Sequence, residues 1–82
     1  MQLSYDPRRN VAYLRLRESA GVEVDTVRLS DEVNIDLAPD GSVYGIELLN
    51  ANTQLRGTDS GRLVVIDEAA GRRVEIPLLD VA

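Results

Sequence analysis

Val33-Asn34-Ile35-Asp36-Leu37-Ala38-Pro39-Asp40-Gly41-Ser42-Val43-Tyr44-Gly45-Ile46-Glu47-Leu48-Leu49 is the stretch whose reading decides the fold. Val33, Ile35 and Leu37 alternate with Asn34 and Asp36, the period of a strand with one apolar and one wet face. Pro39-Asp40-Gly41-Ser42 then supplies turn chemistry: a preset φ, a side chain that bonds its own backbone, and a glycine free to adopt positive φ. Val43–Leu49 returns as a second strand, with Ile46 and Leu48 inward and Gly45 tolerating a close neighbour. Two alternating runs joined by a tight turn predict an antiparallel hairpin.

The same punctuation continues on both sides. Leu3–Tyr5 is a short extended piece, and Asp6-Pro7-Arg8-Arg9-Asn10 is a turn. In Val11–Arg17, Ala12, Leu14 and Leu16 point one way, while Tyr13, Arg15 and Arg17 point the other. Glu18-Ser19-Ala20-Gly21 connects this strand to Val22–Leu29. There Val22 and Val24 share one phase and Val27 and Leu29 the other, which predicts a bulge or sharp twist near Asp25–Thr26. Ser30-Asp31-Glu32 is the next turn. After Leu49 the pattern fades: Asn50–Asp59 is polar apart from Leu55 and fits one helical turn or a loop. Leu63–Ile66 and Val74–Leu79 are two more strand candidates joined through Asp67-Glu68-Ala69-Ala70-Gly71. Pro77 cannot donate to a ladder, so the last strand belongs at an edge. The expectation is a mainly β fold, with a β-rich α+β fold as the alternative. It is an antiparallel meander of about six or seven short strands, with at most one short helix near 50–59. Residues 1–82 are expected to form a single domain in which 56–82 add a hairpin.

Composition narrows the function classes. A chain of 82 residues buries a thin core, and with no cysteine neither a disulfide nor a thiolate metal site can reinforce it. Aliphatic packing must suffice, aided by self-association. The only aromatic residues are Tyr5, Tyr13 and Tyr44. Fourteen acidic residues outweigh nine basic ones, all Arg, for a net charge of −5. That balance repels a phosphate backbone, so nucleic acid is not the expected partner. Without His or Lys there is no imidazole base, Schiff-base lysine or P-loop lysine. No run is apolar and long enough to span a membrane, and no signal-peptide pattern is present, so the expected location is the cytoplasm, away from membranes.

Four blocks carry a family resemblance: Tyr5-Asp6-Pro7; Ala12-Tyr13-Leu14-Arg15-Leu16; Val33-Asn34-Ile35-Asp36 with Asp40-Gly41; and Val43-Tyr44-Gly45-Ile46-Glu47-Leu48-Leu49-Asn50-Ala51. In order and spacing they resemble the small bacterial family called domain of unknown function 2283, over roughly residues 1–55. The family has no assigned activity. Some members resemble antitoxin-like partners of small toxins, so the resemblance implies a protein partner and nothing for residues 56–82.

Four constellations bear on chemistry. Asp36, Asp40, Gly41 and Glu47 match positions one, five, six and twelve of a calcium loop. Ala38 and Pro39 break that pattern, and the strand-like flanks favour a plain hairpin turn. Asp25, Asp31, Glu32 and Asp36 surround one hairpin and are read as a solvated face rather than a metal or acid–base pair. Arg8-Arg9 and Arg72-Arg73 are read as charge at hairpin tips, with an anion clamp as the functional alternative. Tyr13, Arg15 and Arg17 share a strand face with the composition of a protein interface. The leading expectation is a non-enzymatic interaction module, a homodimer or bound to a partner protein, with no cofactor and no metal. The alternatives are an enzyme using Asp, Glu and Arg, or a binder of small anions.

Overall fold

A computed structural model describes residues 1–18, 21, 23–57 and 61–78. The fold is mainly β. Its elements are β1 (Gln2–Asp6), β2 (Val11–Arg15), β3 (Asp25–Arg28), β4 (Val33–Leu37), β5 (Val43–Leu49), α1 (Ala51–Arg56), β6 (Arg62–Asp67) and β7 (Arg72–Pro77). Every strand pair is antiparallel. The chain divides into two units, Met1–Ala51 and Asn52–Ala82.

The first unit is one sheet with strand order β1-β2-β5-β4-β3. Three hairpins build it, and β5 closes it by pairing with β2 rather than stopping at the β4 turn. The turns follow their residues. The Asp6 carboxylate accepts hydrogen bonds from the amides of Arg8 (3.0 Å) and Arg9 (3.2 Å), and Asn10 closes the turn at φ 59°. At the decisive hairpin the amide of Ala38 donates to the carbonyl of Ser42 at 2.9 Å. Gly41 takes φ 87°, and Asp40 accepts from the Ser42 amide at 3.0 Å.

Register sorts the side chains into two faces. Leu3, Leu14, Ile46, Ile35 and Val27 form one cross-strand row, and Tyr5, Ala12, Leu48 and Val33 lie beside it. On the opposite face Gln2, Arg15, Gly45, Asp36 and Thr26 form one row, and Ser4, Tyr13, Glu47, Asn34 and Arg28 another. Side chains directly opposite one another across a ladder share a face, so an apolar face backs a polar one.

The irregularity expected at Asp25–Thr26 lies elsewhere. β3 pairs with β4 without interruption from Asp25↔Leu37 to Arg28↔Asn34. The register slips instead between β4 and β5, where Asp36 faces Gly45 but Leu37 faces Val43. The phase conflict in the sequence resolves because β3 starts only at Asp25, leaving Val24 outside the strand. Ser19, Ala20, Val22, Asp59 and Leu79, which figured in the expected connections and strand ends, lie outside the described residues.

The polar stretch after β5 forms α1, a helix of six residues that begins at Ala51, the last residue of the first unit. β6 and β7 pair as a two-stranded sheet, with the Asp67 carboxylate accepting from the Ala70 amide and Gly71 at φ 67° in the turn. Pro77 falls on an edge strand, as its missing N–H requires.

Candidate functional site on the polar face

The polar face of the first sheet holds the residue types the sequence singled out. Tyr13 projects from β2 and crosses β5. A Cβ on Gly45 would overlap its Oη and Cζ and come within 2.8 Å of Cε2, so the ring lies directly on the glycine backbone. Its hydroxyl reaches β4 and donates to Asp36 Oδ2 at 2.7 Å. Thr26 on β3 donates to the other oxygen, Asp36 Oδ1, at 2.6 Å. One tyrosine and one aspartate thus tie four neighbouring strands together. A second link runs one row along, where Asn34 Nδ2 donates to Glu47 Oε1 at 2.9 Å.

The electrostatics fit a structural network. Burial pushes the Tyr13 hydroxyl up to about 12, and the hydrogen bond to Asp36 and that carboxylate's charge add to the rise. The hydroxyl therefore stays protonated at physiological pH, a donor and not a base or nucleophile. Asp36 has a hydroxyl donor on each oxygen.

Asp36 and Glu47 share this face, but Asp40 sits in the turn and bonds Ser42, whose hydroxyl and amide hold the Asp40 carboxyl below its usual range. Asp25 pairs with Leu37 on the apolar face, Asp31 is bonded to Arg28, and Glu32 lies in the β3–β4 turn. The four carboxylates are spread over both faces and the turn. Among the described residues no group of three or more acids could hold a metal ion. Arg9 lies 3.8 Å from Asp6 across the first turn. Arg72 and Arg73 open β7, where Arg73 meets Glu75 at 3.2 Å. Arg15 donates to Gln2 Oε1 at 2.6 Å. Arg17 lies past the end of β2, with Glu18, Asp40 and Tyr44 around a depression of about 460 Å³. Two acids beside one guanidinium do not make an anion site.

Sequence reasoning missed three features. It did not foresee that Tyr13 reaches Asp36, because alternation assigns faces but not strand neighbours. It did not pair Asn10 with Asn50: both have positive φ, at 59° and 53°, and Asn10 Nδ2 donates to Asn50 Oδ1 at 3.3 Å. It also passed over Ala51, which is fully buried and donates its amide to the Asn10 carbonyl at 3.1 Å. Two asparagines at turn-like positions were the available signal.

A family model, protein of unknown function (DUF2283), matches residues 2–52. The chain belongs to this family. The match covers the whole five-stranded sheet and ends at the start of α1, so the Tyr13–Gly45–Asp36 crossing and the Asn10–Asn50 pair lie inside the DUF2283 region. No curated protein and no solved structure matches the chain. No described helix is long and apolar enough to cross a membrane.

Proposed function

We propose that this DUF2283 chain is a non-enzymatic, self-associating interaction module, most simply a homodimer. One observation carries the reading. Leu14, Ile35, Ile46 and Leu48 stand on the inner strands of a sheet face, where a folded domain buries its aliphatics, yet each stays partly exposed. Among the described residues the only buried hydrophobic ones are Ala12 and Ala51. A sheet with one apolar face is stable when that face lies against another layer. One further feature supports the reading: the polar side chains Tyr13, Thr26, Asp36, Asn34 and Glu47 on the opposite face are hydrogen-bonded to one another. Tyr13 and Arg15 are likewise engaged within the chain, so the reading assigns association to apolar and edge surfaces rather than to the Tyr13–Arg15–Arg17 strand face. An antitoxin-like pairing with a different protein would draw on the same surfaces.

Light scattering across a dilution series tests this. The expected result is a mass above 9.0 kDa at micromolar concentration, with a melting temperature that falls on dilution. A mass near 9.0 kDa throughout, with cooperative melting indifferent to dilution, overturns it.

A further inference from the structure

We propose that the free edge of β6 pairs antiparallel with the same strand of a second copy, centred on Val64, giving a continuous four-stranded sheet. The inference rests on the self-association reading and adds a second contact to it, on the hairpin rather than on the apolar face of the five-stranded sheet.

An isolated two-stranded sheet is marginal in water, and three or more strands with an apolar face are needed. Leu63 faces Ile76 and Val65 faces Val74 on one face of the hairpin. All four are exposed, at 42%, 45%, 47% and 55%. Among the described residues no third strand joins this sheet.

The ladder shows which edge is open. The amide of Leu78 donates to the carbonyl of Gly61 at 3.0 Å, so these two form a hydrogen-bonded pair. Hydrogen-bonded pairs alternate with non-bonded ones, so Leu63–Ile76, Val65–Val74 and Asp67–Arg72 exchange bonds. The N–H and C=O groups of Arg62, Val64 and Ile66 then point away from β7. The outer edge of β7 carries Arg73, Glu75 and Pro77, two charges and a residue with no N–H, the usual guards against edge pairing. The outer edge of β6 has no proline and a single charge, Arg62 at its start, and its central residue is Val64.

Symmetry and charge select a second copy. Antiparallel pairing places outward residues opposite outward residues. Centred on Val64, it puts Val64 against the partner's Val64, and Arg62 against the partner's Ile66. Leu63 then faces the partner's Val65 and prolongs the same apolar face. About six backbone hydrogen bonds form, two at each outward pair. In the hairpin, Arg62, Arg72 and Arg73 balance Asp67, Glu68 and Glu75, a sum of zero. Residues 1–51 hold nine acids against five arginines, a sum of −4. Pairing through the hairpins therefore joins two segments that each carry no net charge.

A two-fold axis through Val64 makes the test specific. Val64→Lys sets two ammonium groups against each other across the axis, and Val64→Glu sets two carboxylates. Each variant alone should weaken association by about tenfold or more. An equimolar mixture of the two should restore it, because lysine then faces glutamate. Ser4→Lys, on the edge strand β1, should leave the mass unchanged. Light scattering and sedimentation read all four samples beside the wild type. A wild-type chain that associates while both Val64 variants match it overturns the β6 edge and leaves the self-association reading standing. Dissociation by Ser4→Lys instead places the interface on β1, and failure of the mixture to restore association removes the two-fold register. A wild-type chain that is monomeric throughout overturns both readings.

Discussion

Replacing Gly45 by alanine should reverse the usual sign of a glycine-to-alanine change in a strand. At an unconstrained strand position alanine gains about 0.5–1 kcal/mol, because glycine loses more backbone freedom on folding. Here the new methyl would overlap Tyr13 Oη and Cζ. Tyr13 must swing off β5 and give up its 2.7 Å bond to Asp36. A hydrogen bond to a charged group contributes about 1.5–3 kcal/mol. After the backbone gain is subtracted and the lost ring packing added, Gly45→Ala should cost roughly 2–3 kcal/mol. For a domain of this size that lowers the melting temperature by on the order of 10 °C. In a Tyr13→Ala background no obstacle remains, and the same substitution should stabilise by about 0.5–1 kcal/mol. Urea unfolding of the four proteins at one fixed concentration gives the coupling, expected at about 3 kcal/mol. If Gly45→Ala costs the same with and without the tyrosine ring, the ring does not lie on Gly45 and the account of this face fails.

Three further outcomes follow from the same geometry. The Tyr13 hydroxyl titrates near 10.0 when unfolded and near 12 when folded. Its contribution is fully present below pH 10 and lost as pH rises toward 12. The rise converts to roughly 2.7 kcal/mol at full value, and screening of this partly exposed group brings it to about 1 kcal/mol. Stability measured from pH 9 to 12 should fall less in Tyr13→Phe than in the wild type. Asn50 holds φ 53°, so Asn50→Ala should cost about 1–2 kcal/mol in urea unfolding while Asn50→Gly stays close to wild type. Ala51 is fully buried, so Ala51→Leu should lower the urea midpoint by an overpacking cost of about 1–3 kcal/mol.

The sequence makes the local parts of this fold legible. Period-two alternation marks β2, β4 and β5, and Asp6-Pro7, Asp40-Gly41 and Asp67 through Gly71 mark three turns, because turn chemistry acts over two or three residues. Pro77 marks an edge for the same reason: a missing N–H is visible without a partner. What alternation cannot say is which strand lies beside which. β2 pairs with β5, whose partners in the ladder are more than thirty residues away for most of its length, and no local signal carries that pairing. The bulge expected near Asp25–Thr26 does not form, since a phase conflict in a sequence vanishes when the strand simply begins later. Tyr13 was legible as opposite to Leu14, but its reach to Asp36 depends on Gly45 lying between them. A glycine read alone says only that something comes close.

That dependence explains how the two faces divide their work. β2, β4 and β5 present the same alternation of aliphatic and polar residues, so their apolar rows of Leu14, Ile35 and Ile46 would pack about as well in another neighbour order. The polar face discriminates. Tyr13 can bond Asp36 only if one strand separates β2 from β4 and if that strand offers a glycine at the crossing, which β5 does at Gly45. Thr26 then bonds Asp36 only if β3 lies on the far side of β4. The order β2-β5-β4-β3 is thus written in one tyrosine, one glycine, one aspartate and one threonine. Neutral and charge-assisted hydrogen bonds of this kind contribute modestly to net stability but exclude wrong registers, because a misplaced strand strands Asp36 without its donors. With topology specified on the polar side, the aliphatic rows need satisfy only a requirement for cover, and cover can come from outside the chain.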